Sequence, residues 1–170
     1  VARSVGEVYR DHLNDARAAI RAFETALDFD ETDTLTMDAL EALYEDNDRL
    51  EALRALLERR ASLAADDERT SLQLRLAQLY EHSFRDQAAA IGMFRLVLDA
   101  EPGNEIANAD LERLFDATAA WDDLIALLSS KLGNAPGEAQ RGLLERIAEV
   151  HHTNRGDVDA AIRVYERITS

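Results

Sequence analysis

The sequence predicts an all-α fold, a solenoid of about ten antiparallel helices, and three observations predict it. The composition is that of helices: 46% of the 170 residues are hydrophobic, Ala, Leu, Arg and Glu dominate, and there are only 2 Pro and 7 Gly. The chain also repeats itself: one constant shift lays Val8 on Leu79 and Val150, Asp15 on Asp86 and Asp157, and Ile20 on Ile91 and Ile162. Phe23, Phe94 and Tyr165 coincide in the same way, as do Ala18–Ala19, Ala89–Ala90 and Ala160–Ala161. The stretches between agree too: Leu40 with Leu111, Tyr44 with Phe115, Leu50 with Trp121, Leu53 with Leu124, and Leu57 with Leu128. Third, this 71-residue double unit divides again, since anchors fall at Tyr9, Tyr44, Tyr80, Phe115 and His151, at spacings of 35, 36, 35 and 36. A period of that length, with two apolar-periodic segments in it, is a helix–turn–helix unit.

The elements follow in order. Leu72, Leu74, Leu76, Leu79 and Tyr80, and again Leu50, Leu53, Leu56 and Leu57, include the i, i+4, i+7, i+8 relations of a helix. Asn14-Asp15, Arg85-Asp86 and Gly156-Asp157 offer side-chain caps before second helices. Thr32-Asp33, Asp66-Asp67, Pro102-Gly103-Asn104 and Asn134-Ala135-Pro136-Gly137 mark breaks between units. The predicted helices are 2–13, 15–29, 33–46, 49–64, 67–83, 87–100, 104–117, 120–132, 138–153 and 157–169. They group into one array over 1–170, with units 1–31, 32–66, 67–102, 103–137 and 138–170. Odd units hold one extra residue between their helices, since Tyr9 to Ala19 is ten steps where Tyr44 to Leu53 is nine.

These residues resemble the tetratricopeptide repeat family over nearly the whole chain. The family pattern is W-x2-L-G-x2-Y in the first helix, A-x3-F in the second, and Pro after it. Here the first unit reads Ala2-x2-Val5-Gly6-x2-Tyr9 and then Ala19-x3-Phe23. The third reads Gln73-x2-Leu76-Ala77-x2-Tyr80, then Ala90-x3-Phe94 and Pro102; the fifth reads Leu144-x2-Ile147-Ala148-x2-His151, then Ala161-x3-Tyr165. Even units depart from it: Glu41 and Glu112 replace the small residue, and Leu53-x3-Leu57 and Leu124-x3-Leu128 replace A-x3-F. The resemblance implies a right-handed superhelix of degenerate repeats in two alternating flavours, and a protein or peptide as partner.

Composition narrows the function further. The net charge of −15, from 34 acidic and 19 basic residues, repels phosphate and anionic lipid, so neither nucleic acid nor a membrane surface is expected as partner. An RNA-binding helical array would need basic stripes. With no cysteine, thiol chemistry and Cys-based zinc sites are excluded. No apolar run approaches the roughly 18 residues that span a bilayer. No signal peptide is visible, and a start at Val1 inside a helix reads as a processed product or a piece of something longer; the compartment stays open, with the cytoplasm favoured.

No catalytic constellation, metal site or cofactor is expected. His12, His82, His151 and His152 form no H-E-x-x-H, and the adjacent pair points to different helix faces. Asp28-x-Asp30 and Asp46-x-Asp48 lack the Gly and closing Glu of a calcium loop and read as loop acids. His151 and Trp121 occupy packing slots.

In the resembled family, first helices line the binding face. Helical spacing then places on it Arg3, Glu7, Arg10 and Asp11; Asp38, Glu45 and Asp46; Leu74, Gln78, Glu81 and His82; Ala109, Arg113 and Asp116; and Glu145, Glu149 and His152. Nine of these are acidic and three are Arg, so the face should be negative and suit a basic or neutral peptide or helix. Glu7, Gln78 and Glu149 stand where some family members grip a chaperone's terminal carboxylate with Lys and Asn, so that activity is not expected. A structural role is the alternative: apolar faces in the incomplete end units should support self-association.

Overall fold

The computed structural model describes residues 1–169, with side chains for all but 134 and 169; Ser170, at the end of the fifth expected unit, lies outside the described residues. Ten α-helices and no strands are found among them. The helices are α1 (Ala2–Asp11), α2 (Ala16–Phe29), α3 (Thr34–Asp46), α4 (Leu50–Leu63), α5 (Asp66–Leu79), α6 (Gln87–Ala100), α7 (Glu105–Ala117), α8 (Trp121–Asn134), α9 (Gly137–Glu149) and α10 (Val158–Thr169). The expected helices are present within two residues at most ends. The exceptions are the C-termini of the fifth and ninth, where the α-geometry stops at Leu79 and Glu149.

Both ends have one cause, the extra residue of the odd units. After α5 and α9 the chain continues as wide turns, Tyr80–Phe84 and Val150–Asn154. There the hydrogen bond runs five residues back, from Arg155 N–H to Val150 O at 3.1 Å, as it does after α1 from Leu13 N–H to Val8 O at 3.2 Å. A π-type turn absorbs one added residue without breaking the helix. The connection then closes on the anchor carbonyl: Asp15 N–H donates to Tyr9 O at 2.9 Å, Asp86 to Tyr80 at 2.9 Å and Asp157 to His151 at 2.8 Å. Even units do this one residue sooner, Arg49 N–H to Tyr44 O at 2.8 Å and Ala120 N–H to Phe115 O at 2.9 Å. The two flavours of repeat are two ways of ending a first helix.

The caps are where the sequence puts them. The carboxylates of Asp15, Asp86 and Asp157 accept the N–H of Ala18, Ala89 and Ala160 at 2.9, 2.9 and 3.0 Å, opening α2, α6 and α10. Asp33 and Asn104 open α3 and α7 similarly, at 3.3 and 3.1 Å. Each such cap stabilises its helix by about 1 kcal/mol. Asp30 accepts from the N–H and hydroxyl of Thr32 at 3.1 and 2.9 Å, so this loop acid shapes a turn.

The chain forms two compact units, Val1–Glu101 and Pro102–Ser170. In the first, α1 packs on α2, α2 on α3, α3 on α4, α4 on α5 and α5 on α6. Its core runs through Phe23 and Leu27 of α2, Met37, Leu40 and Tyr44 of α3, Leu57 of α4, and Leu72 and Leu76 of α5. In the second, α7 packs on α8, α8 on α9 and α9 on α10. There Leu111, Leu114 and Phe115 of α7, Leu124 and Leu128 of α8, and Ile147 and Ala148 of α9 are all buried.

Burial does not repeat as faithfully as sequence does. Ile20 is 3% exposed, Ile91 is half-buried and Ile162 is 49% exposed, so the repeated position is a core one only in the first unit. Ile20 lies where α3 covers α2, and no helix follows α10 among the described residues. Tyr165 is 45% exposed for the same reason, while its counterparts Phe23 and Phe94 are fully enclosed. Trp121 and His151 are half-buried, and His151 Nδ1 is enclosed without a partner.

The small-residue slot has a clear origin at Gly6. A Cβ there would sit 2.7–2.9 Å from three ring atoms of Phe23, whose side chain is completely enclosed. Gly6→Ala should therefore destabilise the chain by about 1–2 kcal/mol, because overpacking outweighs the roughly 1 kcal/mol of helix propensity that alanine adds. A urea melt showing the variant as stable as the parent, or more so, would refute this contact.

Candidate protein-binding face

Within each compact unit, neighbouring first helices are tied to one another by charge. In the first unit Arg3 of α1 reaches Asp33, the cap of α3, at 3.1 Å. Thr36, which donates to Asp33 from both its N–H and its hydroxyl, together with Arg3, holds that carboxyl below its ordinary range. Glu41 of α3, 8% exposed, accepts from Arg60 of α4 at 2.5 Å and from Arg75 of α5. Arg75 also donates to Glu45 at 2.5 Å, and Arg60 to Asp38 at 2.8 Å and Glu68 at 3.4 Å. A buried carboxylate shared by two guanidiniums thus clasps three helices.

The clasp recurs one repeat shift later, in the second unit. Glu112 of α7 pairs with Lys131 of α8 at 3.0 Å, matching Glu41 with Arg60. Arg146 of α9 donates twice to Asp116 of α7, at 2.9 and 2.7 Å, matching Arg75 with Glu45. The chain's single lysine stands at this position. Glu41 and Glu112 break the small-residue pattern, and here their carboxylates anchor the ion pairs between helices.

The candidate residues fall into three groups. Asp38 and Glu45 are drawn together by the Glu41 network, and Asp116 and Glu149 by Arg146, which holds Glu149 at 2.8 Å. Others pair within their own helix: Glu7 with Arg3 at 3.7 Å, Arg10 with Asp11 at 2.6 Å, Arg113 with Asp110 at 2.8 Å and Glu145 with Arg141 at 2.9 Å. The Asp11 hydrogen bond lifts the Arg10 guanidinium above its ordinary range and holds the Asp11 carboxyl below its own. Of the others, Asp46, Gln78, Ala109, His82 and His152 are exposed or nearly so, the two histidines in the wide turns, and Leu74 and Glu81 are half-buried.

At least seven of the nine acids on this face therefore already have a guanidinium partner. Its negative potential is weaker than the sequence count suggests. The residues that sequence reasoning missed are Arg60, Arg75, Arg141 and Arg146, which supply that compensation from neighbouring positions. The internal repeat could have found the clasp, since the same shift lays Glu41 on Glu112, Glu45 on Asp116, Arg60 on Lys131 and Arg75 on Arg146.

Among the described residues no three or more of His, Asp and Glu are grouped to hold a metal, and no helix is long and apolar enough to cross a membrane. No protein-family model matches the sequence, and no curated protein matches it. Solved structures do resemble it. One of MamA has a TM-score of 0.54 at 19% identity, over 99% of this chain and 88% of that one. The structure of Naa15/Naa10 bound to HypK-THB gives 0.61 at 18% identity, over 98% of this chain and 24% of that one. A tetratricopeptide repeat protein from Parabacteroides merdae gives 0.50 at 14% identity, over 99% and 63%. At these identities the likeness is one of fold, and the fold of this chain is that of the tetratricopeptide-like helical repeats.

Proposed function

We propose that this chain is a protein-binding scaffold whose first helices receive a basic or neutral peptide or helix of a partner protein. The observation that carries the reading is the side-by-side tethering of first helices through Arg3–Asp33, Arg75–Glu45 and Arg146–Asp116, which presents their polar stripes on rigid supports. Preorganised faces of this sort lower the ordering cost of binding. The net charge of −15 favours a cationic partner. Internal pairing of most of the stripe's acids makes the preference moderate, since a partner's cations compete with arginines already in place.

A titration with an arginine-rich amphipathic helix of about 15 residues and an acidic counterpart of equal apolar content tests this. The basic peptide should bind, about tenfold more weakly when salt rises from about 0.05 to about 0.5 M. Asp46→Arg with Gln78→Arg should weaken it by a similar factor. Equal binding of both peptides, or indifference to salt, would contradict the reading.

A second reading, a spacer or self-association arm, rests on two apolar stripes. Val1, Val5 and Val8 on the α1 side and Val158, Ile162 and Tyr165 on α10 are exposed at helical spacing, whereas of the counterparts of Val5 and Val8, Leu76, Ile147 and Val150 are buried and Leu79 is half-buried. Light scattering after size exclusion separates the two readings: a concentration-dependent dimer favours the arm, a monomer the scaffold.

A further inference from the structure

A cleft of about 320 Å3 opens between α2 and α4 above α3, away from the polar stripes of the first helices. Its floor is apolar: Leu27, Leu40 and Leu56 are 5%, 1% and 6% exposed. On its α2 side stand two carboxylates, Glu24 and Asp28, one helical turn apart and both exposed. Glu24 accepts the Tyr44 hydroxyl at 2.9 Å, and burial together with that bond pushes the phenol's pKa upward, so the hydroxyl stays a donor. Neither acid has a cationic partner among the described residues, in contrast to most acids of the first-helix face. Arg59, across the cleft, is engaged by the carbonyl and carboxylate of Glu31 at 3.3 and 3.6 Å.

The repeat separates what the fold needs from what it does not. Leu27, Leu40 and Leu56 recur at the next repeat as Leu98, Leu111 and Leu127. Glu24 and Arg59 do not: their counterparts are Arg95 and Ser130. The apolar floor and Asp28, which recurs as Asp99, belong to the repeat, and the pairing of two acids on the rim is particular to this cleft.

We infer that the α2–α4 cleft is a second binding site, which takes an arginine side chain from a partner protein. The aliphatic stem lies on the leucine floor, and the guanidinium bridges Glu24 and Asp28. Arginine suits this mixture of surfaces because its planar head is weakly hydrated, keeps its charge and donates in a fork to carboxylates. The site is distinct from the first-helix face, so its occupant does not compete with a peptide bound there.

The test is a methyl NMR titration of the full chain with the peptide acetyl-Leu-Arg-Arg-Leu-amide and its counterpart carrying neutral citrulline for both arginines. The expected result is a shift of the Leu27, Leu40 and Leu56 methyls with the arginine peptide and none with citrulline. Glu24→Gln with Asp28→Asn should weaken binding by about tenfold, the equivalent of losing roughly 1.4 kcal/mol. Glutamine retains an acceptor for Tyr44, and an unchanged melt confirms that the variant folds. Absence of shifts, equal shifts from citrulline, or full binding by the variant would overturn the inference. Shifts confined to methyls outside the cleft, such as those of Leu74 and Ala109 on the first-helix stripe, would overturn it too, while leaving the proposed scaffold function standing.

Discussion

Phe23→Ala and Phe94→Ala are each expected to destabilise the chain by about 3–5 kcal/mol, the range for a large aromatic deleted from a closed core. Both side chains are 0% exposed. They occupy the aromatic slot of the second helix, and Phe23 fills the space that Gly6 leaves open across from it. Tyr165 holds the same slot in the fifth unit but is 45% exposed, so Tyr165→Ala should cost about 1 kcal/mol or less. Ile91→Ala, at a half-buried site, should fall between, at about 1–2 kcal/mol. Denaturant melts of the four variants check the order. If Tyr165 cost as much as Phe23, or Phe94 as little as Tyr165, the packing described here would be wrong.

Glu41→Ala is expected to cost about 2–4 kcal/mol, the largest effect of any charged residue in the chain. The expense lies in what is left behind. Arg60, whose side chain is 15% exposed, loses its closest carboxylate and keeps only the more exposed Asp38 and Glu68. Such a loss measures the penalty of an uncompensated buried charge more than the worth of the pair. Glu112→Ala, in the repeated clasp, should cost under about 1 kcal/mol, because Glu112 and Lys131 are 29% and 32% exposed and water screens them. The two losses should also differ in salt: that at Glu112 shrinks as ionic strength rises, and that at Glu41 barely moves. A double-mutant cycle of Glu41→Ala with Arg75→Ala should show coupling, and additivity would mean the two side chains do not meet.

Much of the architecture could be read directly from the residues, because it rests on local rules. Asp15, Asp86 and Asp157 announce helix starts through a hydrogen bond to a near neighbour in sequence, whereas the one-residue surplus of the odd units was visible without the wide turns at Tyr80 and Val150 that absorb it. Burial was less legible. Ile20, Ile91 and Ile162 are the same residue in the same register, yet exposure depends on which helix covers each of them, and periodicity does not encode that. The charge balance of the candidate face was not legible. Counting acids along first helices leaves out Arg60 and Arg75, which arrive from other helices to neutralise them. Glu41 was visible as a break in the small-residue pattern, and its meaning needed the geometry of its partners.

The account rests on a helical hairpin packed the same way at each step of the internal repeat. An aromatic-edited NOESY spectrum reads this directly. The account predicts contacts from the Phe23 ring to Gly6, from the Phe94 ring to Ala77 and from the Tyr165 ring to Ala148, three copies of one contact in register. A spectrum in which these rings report unrelated neighbours would contradict it.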